Sequence, residues 1–535
     1  MISIDLDNTI ACYDAVFSNV AVAMELIDPG ADLSKSEIKQ QVVERFDDRE
    51  WQRLQGKVYG KYMHTAEVFP GFMEFLLLAR LRGEELAIVS HKTEYGHFDE
   101  EKFSLRKEAA DWLKAKGITG RDSNNIHEDN LYFCDTREAK VEKINALGSD
   151  ALIDDLSEIL EHSELESRIS RILFAPGNAR SRGDIPSLSS WREISSKFFG
   201  PWAEDEILQI LNEKFPWLDV TQVQRITGRA NSEVFVLGGN DGSRCLLKIY
   251  PDLQHDRRTR LLNEVAAVKF LKENGLPVPA YVASDSDLNW AVFEFIDGEG
   301  VSSEEPGFHA ESMNFISALV KNFPYSAHGS LFPLASEACL KGDELLDQVR
   351  DRIRRLQTVE NQQLADFLDN EFRPQFDSAV SALSDSEKAL FSVPLEPSDL
   401  VLSPSDFGSH NAVRDDNGAV VFIDFEYFGW DDPVKLVSDY FWHPGMQLSS
   451  VQQDQWLMGA RELFAQREGF LHRLDSMLPF FGYKWCLILL NEFMSKNLEQ
   501  KVRTGRHSED ELTSVQRTQL QKARHLLTSL RKYSE

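Results

Sequence analysis

Two carboxylates and a hydroxyl stand close together in Ile2-Ser-Ile-Asp-Leu-Asp-Asn-Thr9. The apolar lead predicts a strand that delivers Asp5 and Asp7, with Thr9 following at once. Alternation along a strand would send both acids to one face, where they could share a cation or a phosphate. One carboxylate could then attack phosphorus while the other moves a proton, a division of labour that needs two differently placed acids. The bland alternative is an acidic edge where a strand meets a loop.

Asp-x-Asp-x-Thr resembles the first motif of the haloacid-dehalogenase (HAD) phosphohydrolases. Three later stretches extend the resemblance in order. Glu85-Leu-Ala-Ile-Val-Ser90 ends on a hydroxyl, where that family carries a phosphate-binding Ser or Thr. Leu131-Tyr-Phe-Cys134 leads into Asp135-Thr-Arg-Glu-Ala-Lys140, whose lysine is similar to the family's charge-neutralising cation, with Lys143 one helical turn on as its rival. Ala151-Leu-Ile-Asp-Asp155 ends on Asp154 and Asp155, similar to the acids that complete the family's magnesium site with Asp5 and Asp7. Hard oxygen ligands suit Mg²⁺. All four stretches place their polar residues at or just past a predicted strand end, where open α/β sheets bind ligands. Helical patterns over Ala15–Leu26, Ser34–Phe46 and Trp51–Tyr62 resemble the small cap of that family, spanning about 14–68. Tyr13 is a candidate pocket wall or an ordinary packing contact. His91 and Lys92, in Ser90-His-Lys-Thr-Glu-Tyr95, either grip a substrate or belong to a solvated loop.

A second set of phosphate chemistry begins near residue 220. Arg225-Ile-Thr-Gly-Arg-Ala-Asn-Ser-Glu-Val-Phe-Val-Leu237 reads as strand, small-residue turn and strand. Gly228 and Ser232 lie in that turn. A Gly-Asn-Asp-Gly hairpin at 239–242 precedes the strand Arg244–Tyr250. Lys248, inside that strand, is either an edge lysine that snorkels to water or a lysine that grips ATP phosphates and pairs with Glu264 of the next predicted helix. Leu288–Gly298, with Glu294 in it, resembles the adenine-binding hinge of protein-kinase-like folds. Farther on, Leu402-Ser-Pro-Ser-Asp-Phe-Gly-Ser-His-Asn411 sets Asp406 and Asn411 five positions apart, and Asp424 follows in Val421-Phe-Ile-Asp-Phe-Glu426. This pattern resembles aminoglycoside-phosphotransferase-like and choline-kinase-like small-molecule kinases. The resemblance implies Asp406 as catalytic base and Asn411 and Asp424 as Mg²⁺ ligands. Asp431-Asp-Pro433 and Asp439 continue it. Where that family usually has His-Gly-Asp, this chain has Pro404-Ser405-Asp406, which leaves open how the loop is braced.

These residues need scaffolds, and the 535-residue chain is long enough for about three compact units. The expected architecture is an α/β HAD-like Rossmannoid domain with a small helical cap over 1–195. An α+β protein-kinase-like two-lobed domain follows, with its N-lobe at 205–298 and a helical C-lobe at 299–535. The turn-rich Pro176–Pro186 breaks the periodicity between them. Phe441, Trp442, Phe480, Phe481, Tyr483 and Trp485 read as C-lobe core. Hydrophobic content of 42% and charged content of 27% fit a globular protein, and a formal charge of −29 argues against nucleic acid or anionic membrane as partners. No apolar run reaches the ~18 residues of a membrane span, and the N-terminus has no signal-like pattern. Five widely spaced cysteines (Cys12, Cys134, Cys245, Cys339, Cys486) read as reduced thiols in a cytoplasmic protein.

The expected activity is bifunctional: a Mg²⁺-dependent phosphatase fused to an ATP-dependent small-molecule kinase, acting on phosphate or sugar substrates. The two sites could serve successive sugar-phosphate intermediates, and the Ser90–Thr93 loop resembles HAD domains of cell-surface polysaccharide precursor synthesis. The alternative is a phosphatase regulated by a nucleotide-binding, non-catalytic kinase-like half.

Overall fold

The computed structural model describes residues 1–30, 33–98, 101–121, 126–176, 185–226, 232–251, 259–494 and 509–533. The chain divides into two compact units, the first built on Met1–Glu206 and the second on most of Ile207–Glu535.

In the first unit a six-stranded sheet runs in the order Ser187–Leu188, Ser170–Phe174, Ala151–Asp154, Ile2–Ile4, Leu86–His91, Leu131–Cys134. Every neighbouring pair is parallel. Parallel strands are covered on both faces, so they read as solid apolar runs rather than alternating ones. Ile4, Ala87, Ile88, Val89, Leu152 and Ile153 are all fully buried. The chain starts mid-sheet, moves out to Leu131–Cys134, then crosses to the other side of Ile2–Ile4. The strand order therefore reverses there, and the crevice at the carboxyl ends is the place for a ligand.

The first strand stops at Ile4, so Asp5 and Asp7 lie beyond it instead of alternating within it. The turn that follows is the reason: Asn8 takes the left-handed conformation (φ 56°), and Asp7 bridges to Ala11. Asn tolerates that conformation better than most residues. A two-residue antiparallel pair, Ala11–Cys12 with Glu67–Val68, marks where a helical insert leaves and rejoins the sheet. The insert holds helices Asp14–Ala23, Lys35–Arg45 and Asp48–Tyr59. Ser34 starts the second by a capping box with Glu37. Phe17 stacks on Trp51 at 5.3 Å between ring centroids and forms the insert's small core with Tyr59.

The second unit opens with a five-stranded sheet ordered Val220–Ile226, Glu233–Gly239, Arg244–Ile249, Trp290–Glu294, Tyr281–Asp285. Lys248 pairs in register with Val234 on one side and Ala291 on the other. It therefore belongs to a central strand and is 6% exposed, which removes the snorkelling edge-lysine reading. Helix Arg260–Glu273 follows the third strand. Short strands Val401–Ser403 and Gly429–Asp431 pair antiparallel, as do Ala412–Asp415 and Val420–Phe422, and these ribbons carry the turns that hold Asp406, Asn411 and Asp424. Long helices, among them Phe308–Asn322, Gly342–Leu356, Phe470–Ile488 and Glu509–Leu530, build the rest. Phe441, Trp442, Phe480, Phe481 and Tyr483 are core, and Trp485 packs partly buried against it. Among the described residues no helix is long and apolar enough to cross a membrane.

Candidate functional sites

At the switch point of the first unit, Lys140 lies between two acids. Its Nζ is 2.5 Å from Asp5 Oδ1 and 2.7 Å from Asp154 Oδ2, with side-chain exposures of 1%, 8% and 0% respectively. Helix Arg137–Ala146, started by a Thr136 side-chain cap, sets this position. Lys143, one turn on, instead lies 4.0 Å over the Tyr132 ring. The two lysines therefore part company, and only Lys140 joins the acids. Burial disfavours the ammonium, but Asp154 and Asp5 outweigh it and raise the Lys140 pKa. Burial also pushes the Asp5 carboxyl well up, with Lys140 opposing. Asp155 is raised to about 7, first by burial and then by Asp154 beside it.

Carboxylate oxygens of Asp5, Asp154 and Asp155 lie within 4.8 Å of one another, a grouping able to hold a cation. The Asp7 side chain is not in that group. Its carboxylate pairs with Lys92 Nζ at 2.8 Å and accepts the Tyr13 hydroxyl at 2.6 Å. Lys92 thus leaves the solvated-loop reading: its side chain is 2% exposed. His91 stays at the surface, its Nε2 3.1 Å from the Asp135 carbonyl. Thr9 Oγ1 and Ser90 Oγ are buried with no hydrogen-bond partner among the described residues. Two orphaned hydroxyls beside an acidic cluster are what a phosphate-binding crevice would leave to its ligand. The insert adds groups that no motif announced. Lys35 donates to Tyr59 OH at 3.0 Å and to Asn8 Oδ1 at 3.3 Å, and Asn8 donates onward to Asp155 at 3.3 Å.

In the second unit the acids converge on Lys248. Its Nζ is 2.7 Å from Glu264, 2.7 Å from Asp424 and 3.0 Å from Glu426. Glu264 is fixed by Tyr250 OH at 2.6 Å and by the Phe425 amide at 3.2 Å. Its pKa rises to about 7, mainly through burial and against the pull of Lys248. Arg260 clamps Glu426 at 2.6 Å. Glu264, Asp424 and Glu426 form a second grouping able to hold a cation. Sequence reading missed Glu426, Arg260 and Tyr250; the Asp-x-Glu spacing after Ile423 was the available signal for the first. Asp424 sits at φ 69°, a left-handed turn between strand Val420–Phe422 and the Glu426 carboxylate.

Asp406 and Asn411 occupy the neighbouring loop. Asn411 donates its side-chain amide to the Asp406 carbonyl at 3.0 Å. Ser405, where the resembled family has glycine, takes φ 67°, the backbone conformation glycine adopts most easily. His410 Nε2 donates to Asp406 Oδ1 at 2.9 Å. Burial alone would raise the Asp406 carboxyl, but this hydrogen bond and the nearby imidazoles bring it down to about 2. Ser232 reaches the cluster only loosely, at 3.5 Å from Glu426. The Glu294 carboxylate is taken up elsewhere, by the Ala280 amide at 2.8 Å and Lys272 at 3.3 Å, so its side chain is not part of the Lys248 group. Gly228 lies outside the described residues.

Residues 222–448 match the model of a phosphotransferase enzyme family, which supports a kinase-like α+β fold for that stretch. No match was found among curated proteins. Among solved structures, the chain aligns with choline kinase LicA of Streptococcus pneumoniae at 14% identity and TM-score 0.41, over 60% of this chain and 99% of that one. An ethanolamine kinase of Plasmodium vivax aligns at 14% identity and TM-score 0.41, over 62% and 93%. A spectinomycin phosphotransferase, in complex with ADP and spectinomycin, aligns at 11% identity and TM-score 0.43, over 62% and 99%.

Proposed function

We propose that the chain carries two phosphoryl-transfer sites, an ATP-dependent small-molecule kinase in the second unit and a HAD-type phosphomonoester hydrolase in the first. The observation that carries the kinase reading is the convergence of Glu264, Asp424 and Glu426 within 3.0 Å of the Lys248 ammonium, inside the stretch that matches a phosphotransferase family. Asp406 would take the proton of an acceptor hydroxyl as that oxygen attacks the γ-phosphorus of ATP and the bond to ADP breaks. Lys248, oriented by Glu264, would grip the nucleotide phosphates, with Gly228 and Ser232 as further phosphate contacts and the hinge around Glu294 at the adenine. Asn411 and Asp424, with Glu426 added, offer the hard oxygen donors that suit Mg²⁺. The metal would supply charge neutralisation at the transferred group.

The hydrolase reading is supported by Asp5, Asp154 and Asp155 around Lys140, and by the unpartnered hydroxyls of Thr9 and Ser90. Asp5 would attack phosphorus and form an aspartyl-phosphate, Asp7 would protonate the leaving oxygen, and water would then release phosphate. Asp5, Asp154 and Asp155 again fit Mg²⁺ by donor type. Fusion of the two chemistries supports successive action on one sugar-phosphate scaffold, and the Ser90–Thr93 loop supports a role in cell-surface polysaccharide precursor synthesis.

The test is a metabolite screen with ATP and Mg²⁺, following phosphate gained and phosphate released separately. Asp5→Asn should abolish release and keep transfer, while Asp424→Ala and Asp406→Ala should abolish transfer and keep release. A wild-type chain that consumes no ATP across the screen would replace the kinase by a nucleotide-binding regulatory domain. Release that survives Asp5→Asn at the wild-type rate would remove the hydrolase assignment.

A further inference from the structure

Asp406 is not braced by a residue just before it, since Pro404 and Ser405 occupy those positions. Two histidines from later in the chain stand against it instead. The rings of His410 and His443 stack nearly parallel, 4.0 Å apart with planes at 9°, and both Nε2 atoms face the same carboxylate oxygen, Asp406 Oδ1, at 2.9 and 3.6 Å. The stack is enclosed on several sides. A Cβ on Gly408 would come within 2.9 Å of the His410 ring and 2.6 Å of Met446 Sδ. A Cβ on Gly445 would come within 3.0 Å of His443 and 3.6 Å of His410. Glycine at both positions therefore clears room for the pair. On the far side, Trp485 meets His443 edge-on at 4.7 Å, and its indole N–H is fixed to Asp439 at 2.8 Å.

The tautomers follow from the partners. His443 Nδ1 accepts the Gly445 amide at 3.1 Å, so its proton sits on Nε2, toward Asp406. His410 faces a carboxylate oxygen with Nε2, so that nitrogen is the donor, and its Nδ1 meets no partner among the described residues. An imidazole held by one hydrogen bond and a stacked neighbour serves that one bond.

Resting on the kinase reading, we propose that His410, locked by His443, is the positioning residue for Asp406: it occupies Oδ1 and turns Oδ2 toward the acceptor hydroxyl. It does so from four residues downstream, in place of the histidine two residues upstream that the resembled family uses. A carboxylate free to rotate would still bind its surroundings but would miss the near-attack geometry, and small misplacements of catalytic groups cost on the order of a hundredfold in rate.

The experiment uses the full chain with ATP, Mg²⁺ and a panel of amino alcohols, hexoses and hexose phosphates as acceptors. His410→Ala should lower kcat by roughly 30- to 100-fold while KM for ATP stays within about twofold. His410→Gln, whose side-chain amide can donate from a similar place, should regain at least about tenfold of that loss. Melting temperatures confirm that the variants remain folded. Should His410→Ala keep kcat within about threefold of wild type, or should Gln be as poor as Ala, the positioning role is overturned. Asp406→Ala separates the two readings. If it transfers phosphate as fast as wild type, the kinase assignment fails; if it is inactive and His410→Ala is not, only the brace fails.

Discussion

Replacing Lys140 with methionine keeps the volume of the side chain and removes its charge. Lys140 bridges Asp5 at 2.5 Å and Asp154 at 2.7 Å, and all three side chains are at most 8% exposed. Deleting one partner of a buried ion pair costs about 3–5 kcal/mol, chiefly through the uncompensated charge left behind. Here two carboxylates would be orphaned, and they would also repel each other, so the loss should reach the upper part of that range. A domain's whole stability is about 5–15 kcal/mol. The assay is amide hydrogen exchange on the intact chain, read on Ile2–Ile4 and Ala151–Asp154, because it isolates the first unit. Protection there should fall by roughly 10³-fold or somewhat more in metal-free buffer, at about 1.4 kcal/mol per decade. Mg²⁺ should restore more protection in Lys140→Met than in wild type, since the variant's acids lack their counter-ion. Adding Asp5→Asn to the variant should also restore part of it. A loss under tenfold, or an equal response of both proteins to Mg²⁺, would refute the reasoning.

Two further outcomes follow from named contacts in the second unit. Desolvation alone would raise the Glu337 carboxyl, yet Lys484 and Arg352 win and hold it well below the usual range. A depressed acid contributes stability that is present above its unfolded pKa, near 4.3, and is lost as pH falls through the folded value. Glu337→Gln should therefore cost about 1–2 kcal/mol at pH 7, a figure discounted because the side chain is 46% exposed, with the gap narrowing by pH 3.5 in urea melts. A gap that widens on acidification would contradict the ion-pair account. Ser405→Gly should leave stability unchanged or raise it by up to about 1 kcal/mol, because φ of 67° suits glycine, whereas Ser405→Val should lower it by about 1–2 kcal/mol. Equal effects of the two substitutions would show that the backbone there is not strained.

The polar ends of the parallel strands were legible because buried parallel strands are uninterrupted apolar runs, and a sudden Asp or Ser at their close stands out. Ser90 and Asp154 stand at such strand ends. The choice between Lys140 and Lys143 was not legible, since one helical turn separates them and only the packing of Arg137–Ala146 decides which faces the acids. The contacts of Asp7 with Lys92 and Tyr13 were not legible, because they are set by the turn at Asn8. Lys35 and Tyr59 carry no motif; they meet Asn8 only once the insert folds. His443 is 33 positions from His410, and nothing local marks the two as a stack. Glu294 was read into the hinge for its backbone, and where its side chain goes, to Lys272 and the Ala280 amide, was not legible.

Because the insert leaves and rejoins the sheet through one short antiparallel pair, Ala11–Cys12 with Glu67–Val68, it is in effect a single enlarged loop. Loop-closure entropy grows only slowly with length, so such a segment can be lengthened, trimmed or exchanged at little cost to the sheet beneath. Asp5, Asp154 and Asp155 sit on the sheet side of that junction, and Lys35 and Tyr59 on the replaceable side. Selection, or an engineer, can therefore graft a different insert between residues 12 and 67 and change what faces the acidic cluster without rebuilding the sheet that carries it.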